Sequence, residues 1–510
     1  MMKLINDATP VIRLSQKDNV GVVTRPLPEG FPIDNDGTLS RNNVPAGHKV
    51  CLQPIPCGEP VIKYGQVIGL ASRAIGVGEH VHTHNVSMID QSVSLEGFKP
   101  ASKTPVLDSK RTFKGYKRKD GRVGTRNYIG ILSTVNCSAT VAKAAAEALD
   151  SSPVLKSLGY DGVVAITHGS GCAINTETEG YQFLERVIAG YAQHPNFSFV
   201  LIIGLGCETN QVKGLVDRTG LEDESRLYYF NIQESGGTRS SIKKATDKIV
   251  EMAKLNSPAQ REDVPLEHLS VALQCGGSDG YSGITANPAL GYAADLIVQH
   301  GGSVILGETP EVYGAEHLLI NRSIDRQVAG KLLERIDWWK EYTRMNGAEL
   351  NNNPTPGNKA GGLTTILEKS LGAVAKAGTS SLNGVLEYAE RQRKPGFNFM
   401  DSPGYDPVSV TGQIASGANV VCFTTGRGSV SGYKPTPCIK LATNTAMYEN
   451  MKEDMDINCG LIVDGHATLE EVGEQVFEMI IAVASGDMSA SEMLGYGDNE
   501  FVPWMVGAVT

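Results

Sequence analysis

Blocks of basic residues are missing from this chain. Lys and Arg total 46 against 56 Asp and Glu, a net charge of −10. Without a clustered cationic face, nucleic acid is not expected as a partner. Long apolar runs are missing too, so no membrane span is expected. Met1 to Leu14 mixes polar and charged residues and lacks the apolar core of a signal peptide, so a cytoplasmic location is expected. Nine cysteines in 510 residues are too few for a disulfide scaffold. No Cys-x-x-Cys spacing marks a structural zinc site. No Gly-x-Gly-x-x-Gly opens a helix after a first strand, and no Gly-x-x-x-x-Gly-Lys-Ser/Thr occurs. A nicotinamide-dependent oxidoreductase is therefore disfavoured.

What the chain does have is histidine at alternate positions, in Gly78-Glu79-His80-Val81-His82-Thr83-His84-Asn85. On a strand, His80, His82 and His84 would share one face. Imidazoles so placed suit a metal or a substrate, or an exposed polar strand. A length of 510 residues calls for several cores. Residues 11–95 read as short strands punctuated by Gly and Pro, a small β domain. Residues 96–113 lack periodicity and read as a linker. From 114 to 257, and again from 266 to 510 past a boundary at 255–266, apolar strand runs alternate with helical segments. Both regions read as α/β with a largely parallel sheet. Helical period covers 326–344 and 469–485; Thr468 and Glu471 form a capping box for the second, and Gly486 stops it.

Each buried strand ends in a glycine-rich loop with polar residues. Ile166 is followed by Thr167-His168-Gly169-Ser170-Gly171-Cys172, and Ile203 by Gly204-Leu205-Gly206-Cys207-Glu208. Leu273 is followed by Gln274-Cys275-Gly276-Gly277-Ser278-Asp279-Gly280, Leu306 by Gly307-Glu308-Thr309-Pro310-Glu311, and Phe423 by Thr424-Thr425-Gly426-Arg427-Gly428. Ligands bind outside the carboxyl ends of parallel strands, so these five loops are expected to line one crevice. His168, Cys172, Cys207 and Cys275 are candidate metal ligands for iron or zinc, or three of these thiolates for an iron–sulfur cluster. Pro356-Gly357-Asn358-Lys359 and the Arg427 loop offer cations for carboxylates.

At these loops the sequence resembles the altronate and galactarate dehydratases, hydro-lyases of sugar acids. The resemblance covers nearly the whole chain. It rests on Pro45-Ala46-Gly47-His48-Lys49-Val50, the histidine run, Asp120-Gly121-Arg122-Val123-Gly124-Thr125-Arg126-Asn127, Gly204-Leu205-Gly206-Cys207-Glu208, Cys275-Gly276-Gly277-Ser278-Asp279, Ser282-Gly283-Ile284-Thr285-Ala286-Asn287-Pro288, Pro356-Gly357-Asn358-Lys359 and Thr425-Gly426-Arg427-Gly428. It implies a β-clip (SAF-like) N-terminal domain, a linker, a middle α/β domain that dimerises, and a C-terminal Rossmann-like catalytic domain. It also implies dependence on ferrous iron (Fe2+) under reducing conditions, with another divalent metal able to take its place on isolation.

The expected reaction is removal of the proton alpha to a carboxylate and loss of the beta hydroxyl. D-Altronate would give 2-keto-3-deoxy-D-gluconate; galactarate would give 5-keto-4-deoxyglucarate. His82-Thr83-His84-Asn85 and Pro310-Glu311-Val312-Tyr313 look altronate-like, whereas Gly171-Cys172-Ala173-Ile174-Asn175 looks galactarate-like. Sulfolactate sulfo-lyases are relatives, and a sugar-acid binding protein without turnover is the alternative of another class. Expected catalytic groups are His82, His84, Glu208, Asp279, Glu308 and Glu311. Expected substrate contacts are His48, Asn85, Ser278, Asn358, Lys359 and Arg427.

Overall fold

A computed structural model describes residues 10–90, 93–108, 111–221, 225–256 and 260–507. Most of the polar N-terminal stretch, residues 1–9, lies outside the described residues, as do 508–510. The first part of the chain forms two small antiparallel sheets. One pairs Val11–Ile12, Val20–Val23, Lys49–Cys51 and His80–Val81; the other pairs Pro60–Lys63, Gln66–Ala71 and Val86–Ser87. The valines and isoleucines of these strands turn inward, and Gly and Pro turns separate them, as the small β domain requires.

The middle region carries a four-stranded parallel sheet of Tyr128–Ser133, Gly162–Ile166, Phe197–Gly204 and Leu227–Asn231, in spatial order second, first, third, fourth. Phe197–Gly204 is buried at every position, the pattern of a strand covered on both faces. Helices Ala139–Asp150 and Thr238–Leu255 pack together, while Glu179–Ala192 packs on Asp406–Ala415 of the C-terminal region. That contact is close: a Cβ on Gly190 would lie 2.4 Å from the Ala415 carbonyl.

The C-terminal region carries seven parallel strands: Ser270–Cys275, Ser303–Leu306, Leu382–Leu386, Gly396–Met400, Val420–Thr425, Cys438–Ala442 and Ile457–Asn458. Their spatial order is third, fourth, second, first, fifth, sixth, seventh. The first strand thus sits at the sheet's topological switch, between the second and the fifth. Helix Leu469–Ala484 starts at the expected Thr468–Glu471 capping box, and Arg326–Met345 spans the other predicted helix. The multidomain α/β architecture holds. The segments read as a linker and a boundary are partly structured: Thr112–Lys117 pairs with Glu262–Pro265 and Val123–Gly124 in an antiparallel sheet.

One expectation fails at this level. The five glycine-rich loops do not crown one sheet, because their strands belong to two. The His168–Cys172 and Cys207–Glu208 loops crown the middle sheet, and the loops of Cys275, Glu308 and Arg427 crown the C-terminal one. Strand-then-glycine signatures are alike in both, so sequence could not assign them.

Candidate active site

The small domain docks its Gly47 turn on the C-terminal domain. A Cβ on Gly280 would lie 2.0 Å from the Gly47 carbonyl, so only glycine admits the approach. Beneath this contact lies a buried ionic cluster that joins the two domains. Lys49 donates to both Glu368 oxygens at 3.0 and 2.9 Å, and Lys63 to one at 2.9 Å. The Thr364 amide and hydroxyl complete the carboxylate's shell. Although burial opposes ionisation, the two ammoniums hold Glu368 far below the usual carboxylate range. Lys49 is itself pushed down to about 8 by burial.

Docking brings the histidines to the C-terminal sheet's switch point. Only His80 of the three lies in a strand; His82 to Asn85 form a turn, because the chain must reverse to pair Val86–Ser87 with Gln66–Ala71. The turn still clusters the rings. Centroids of His48 and His82 are 4.7 Å apart, and His80 lies 5.1, 5.4 and 5.3 Å from His48, His82 and His84.

Hydrogen bonds assign the tautomers. A carbonyl only accepts, so His48 Nε2 donates to Ala360 at 3.1 Å and His82 Nε2 to Lys359 at 2.9 Å. His82 Nδ1 then accepts from the Thr83 hydroxyl. His48 Nδ1 is left as an acceptor, and His80 Nε2 donates to it at 3.0 Å. His80 Nδ1 therefore keeps a lone pair without a partner among the described residues. Burial, then its cationic and imidazole neighbours, pushes His80 down to about 3. Burial and Lys49 push His82 down to about 4. Both rings are neutral at pH 7.

Under the histidines, Asn358 donates to the Ser278 carbonyl at 2.8 Å and caps the short helix Pro356–Ala360 with Thr355. The Arg427 amide donates to the Gly277 carbonyl at 2.9 Å. Lys359 and Arg427 therefore flank the Ser278 loop. Neither side chain forms an ion pair or a side-chain hydrogen bond among the described residues, which leaves both cations available to an anion.

Cys275 ends the first strand and is buried. With Glu308 and Glu311 it forms a group of three potential ligand atoms within 4.8 Å of one another. Lys376 donates to the Cys275 sulfur at 2.8 Å and lies 3.8 Å from Glu308. Lys369 and Asn353 donate to Glu311, each at 2.7 Å. Burial and the neighbouring Glu311 push Glu308 well above the usual carboxyl range. Glu311 is held low by Lys369 and Lys376 against its own burial. Burial raises the Cys275 thiol to about 12. Glu308 takes a left-handed conformation at φ 68°, unusual for a residue with a side chain, and its Oε1 is buried without a partner. Asp406, raised to about 6 chiefly by burial, accepts from Gln274 beside this group.

Several expected site residues do other work. Asp279 accepts from Ser282, Tyr281, Thr443 and Asn444, so it braces its own loop. Asn85 clasps the histidine turn through His82 N and His80 O. Glu208 accepts from Leu205 N, Gly206 N and Thr134, and it sits in the middle domain. The ligand set of His168, Cys172, Cys207 and Cys275 does not come together. His168 spends both ring nitrogens on Ser133 O and Ser170 N, and Cys275 belongs to the other sheet. His84 is exposed beside His80. Lys369, Lys376, Glu368 and Asp406 escaped the sequence reading, since a buried charge carries no local pattern.

A small β domain docked on the C-terminal α/β domain, with a histidine turn over the switch point of its parallel sheet, defines a multidomain α/β protein with one candidate site between domains. Three family models divide the chain. The altronate/galactarate dehydratase SAF domain matches residues 9–89, the second domain of the D-galactarate dehydratase/altronate hydrolase model matches 115–256, and the D-galactarate/altronate dehydratase C-terminal model matches 266–509. Altronate dehydratase of Bacillus subtilis is 34% identical over 94% of this chain and 95% of its own length. Galactarate dehydratase (L-threo-forming) of Escherichia coli is 38% identical over 94% of each. The beta subunit of (2R)-sulfolactate sulfo-lyase of Chromohalobacter salexigens is 34% identical over 77% of this chain and 97% of its own. The chain belongs to the altronate and galactarate dehydratase family, and its class is that of the sugar-acid dehydratases.

Proposed function

We propose that this enzyme dehydrates a six-carbon sugar acid in the crevice between the histidine turn and the C-terminal sheet. D-Altronate is the first reading, with 2-keto-3-deoxy-D-gluconate and water as products. The observation that carries the site is His80 Nδ1, a neutral imidazole nitrogen with a free lone pair, in a histidine cluster anchored on the Lys359 and Ala360 carbonyls, next to the loop that Lys359 and Arg427 flank. Lys359 and Arg427 bind the substrate carboxylate through charge-assisted hydrogen bonds. Their positive charge also lowers the cost of the enediolate that forms when the alpha proton leaves. His80 Nδ1 takes that proton once the anionic substrate beside it has raised its basicity from the low level of the empty cluster, and His48 and the Ala360 carbonyl hold its ring in the required tautomer. Glu308, kept protonated by burial and Glu311, is the group able to give a proton to the departing beta hydroxyl.

The donors Cys275, Glu308 and Glu311 also suit a divalent ion, because the Glu308 Oε1 acceptor is buried and orphaned. Ferrous iron, which the family resemblance implies, would supply Lewis-acid charge at a substrate oxygen there, in competition with Lys376. Nine unpaired cysteines support a reducing compartment such as the cytoplasm. Among the described residues, no helix is long and apolar enough to cross a membrane. A homodimer through the middle domain is part of this reading.

Galactarate is the second reading, favoured by 38% identity to a galactarate dehydratase and by two separate cations that could hold two carboxylates. The test is anaerobic turnover with ferrous iron and reductant, offering D-altronate and galactarate separately. Formation of a 2-keto-3-deoxy acid from altronate supports the first reading, and turnover of galactarate alone replaces it with the second. Tight binding without turnover of either would make the chain a sugar-acid binding protein.

A further inference from the structure

Four of the nine cysteines are exposed, and three of these crown one sheet. Cys137 follows the first strand of the middle domain, Cys172 the second and Cys207 the third. In space these strands are neighbours, in the order second, first, third. The chain reverses its direction of progress across the sheet at the first strand. The three cysteines therefore sit on loops at and beside the switch point, the place where open parallel sheets bind ligands.

The three loops brace one another in a closed ring. Asn136 donates its amide to Ser170 O and its side chain to His168 O, which ties the Cys137 turn to the Cys172 loop. Thr209 N donates to the Cys172 carbonyl at 2.8 Å, which ties the second loop to the third. Thr134 donates to Glu208 at 2.6 Å, and Asn210 to Thr134 O, which closes the ring from the third loop to the first. The braces are buried: His168 and Glu208 are 6% and 2% exposed. The cysteines they position are not. Gln233 donates to the Cys207 sulfur at 3.4 Å. A Cβ on Gly169 or Gly171 would meet no atom within 4 Å, so the second loop borders open space. Rigid polar support under surface thiols is the construction of a ligand site, since unsupported exposed thiols are a liability.

We propose that Cys137, Cys172 and Cys207 hold an iron–sulfur cluster of the [4Fe–4S] class through three thiolates, leaving one iron without a protein ligand. An all-thiolate set on three adjoining, mutually braced loops suits a cluster better than a single ion. Thiolates around one tetrahedral zinc at 2.3 Å bonds stand about 3.8 Å apart. The three thiols do not all lie within 4.8 Å of one another, whereas Cys275, Glu308 and Glu311 do. A cube of iron and sulfide takes thiolates set farther apart than one ion does, and the thiols release their protons on binding. The site is separate from the histidine crevice, so it stands or falls without the dehydration chemistry.

The experiment is anaerobic reconstitution of the full chain with ferrous iron, sulfide and dithiothreitol, followed by desalting and assay of iron and acid-labile sulfide. Wild type and Cys57→Ser are expected to retain roughly four iron and four sulfide per chain, with broad visible absorbance. Cys137→Ser, Cys172→Ser and Cys207→Ser are each expected to lose the sulfide and the absorbance while keeping the unfolding midpoint of the metal-free protein. Iron bound without sulfide in wild type overturns the proposal, and so does a triple serine variant that retains wild-type sulfide. The wild-type sulfide count decides the matter even if a serine variant fails to fold.

Discussion

Replacing Glu368 by Gln removes the negative charge that Lys49 and Lys63 share in the interface between the small and C-terminal domains. All three side chains are within 1% of full burial, so water cannot stand in for the lost charge. Removing one partner of such a pair costs about 3–5 kcal/mol, because the remaining charges stay buried and unpaired. At 1.4 kcal/mol per tenfold, that is roughly two to three and a half decades in the ratio of undocked to docked domain. Hydrogen exchange reads this ratio directly. In Glu368→Gln, the Lys49–Cys51 strand and the Pro356–Ala360 helix are expected to lose protection by about two decades or more, while the middle sheet keeps its protection. Turnover falls with it, since His48, His80 and His82 are held over the crevice by docking. Replacing all three by Met and Leu, which removes every buried charge, should restore much of the protection. Wild-type exchange at both segments in Glu368→Gln would refute the reasoning.

The two buried glutamates beside Cys275 should respond oppositely. Burial and Glu311 push Glu308 toward its neutral form, so Glu308→Gln should move the unfolding midpoint little. Glu311→Gln strands the Lys369 ammonium and should cost about 3–5 kcal/mol in denaturant unfolding; equal midpoints would contradict the assignment. The histidine cluster sets a pH dependence. His80 and His82 sit at about 3 and 4 in the folded protein, against about 6.5 unfolded. The unfolded chain binds more protons between these values, so stability is full above about pH 6.5 and falls as pH drops through the window. Urea midpoints measured from about pH 6.5 to 5 should fall less steeply in a His80→Gln, His82→Gln double variant; identical slopes would exclude the cluster as their source. Arg427→Met and Lys359→Met should each lower kcat/KM by roughly 10- to 100-fold, from about 1.5–3 kcal/mol per charge-assisted contact, with unchanged unfolding midpoints. Unaltered kinetics in both would remove them from the site.

Much of the architecture was legible because apolar runs such as Phe197–Gly204 and Val420–Thr425 have no alternative to a covered parallel sheet. The Thr468–Glu471 capping box fixed a helix start by local chemistry alone. Leu382–Leu386 and Gly396–Met400 escaped, since glycine and asparagine dilute their strand signal. The histidine run was visible as chemistry; its strand ends at Val81, and the turn that follows gathers the rings that a longer strand would have set on one face. Its partner loops were visible as glycine-rich strand ends, yet which sheet each belonged to depends on tertiary pairing. Lys369 and Lys376 gave no signal at all. A helix lysine looks solvent-facing until the carboxylates it neutralises are placed beside it.

The most direct test is proton abstraction by His80, followed with substrate bearing deuterium alpha to the carboxylate. Wild type should show a primary isotope effect and release the label to water. His80→Ala should bind the substrate yet lose turnover and label release by roughly 10²–10⁴-fold. Label release at the wild-type rate in His80→Ala would place the base elsewhere and overturn the site.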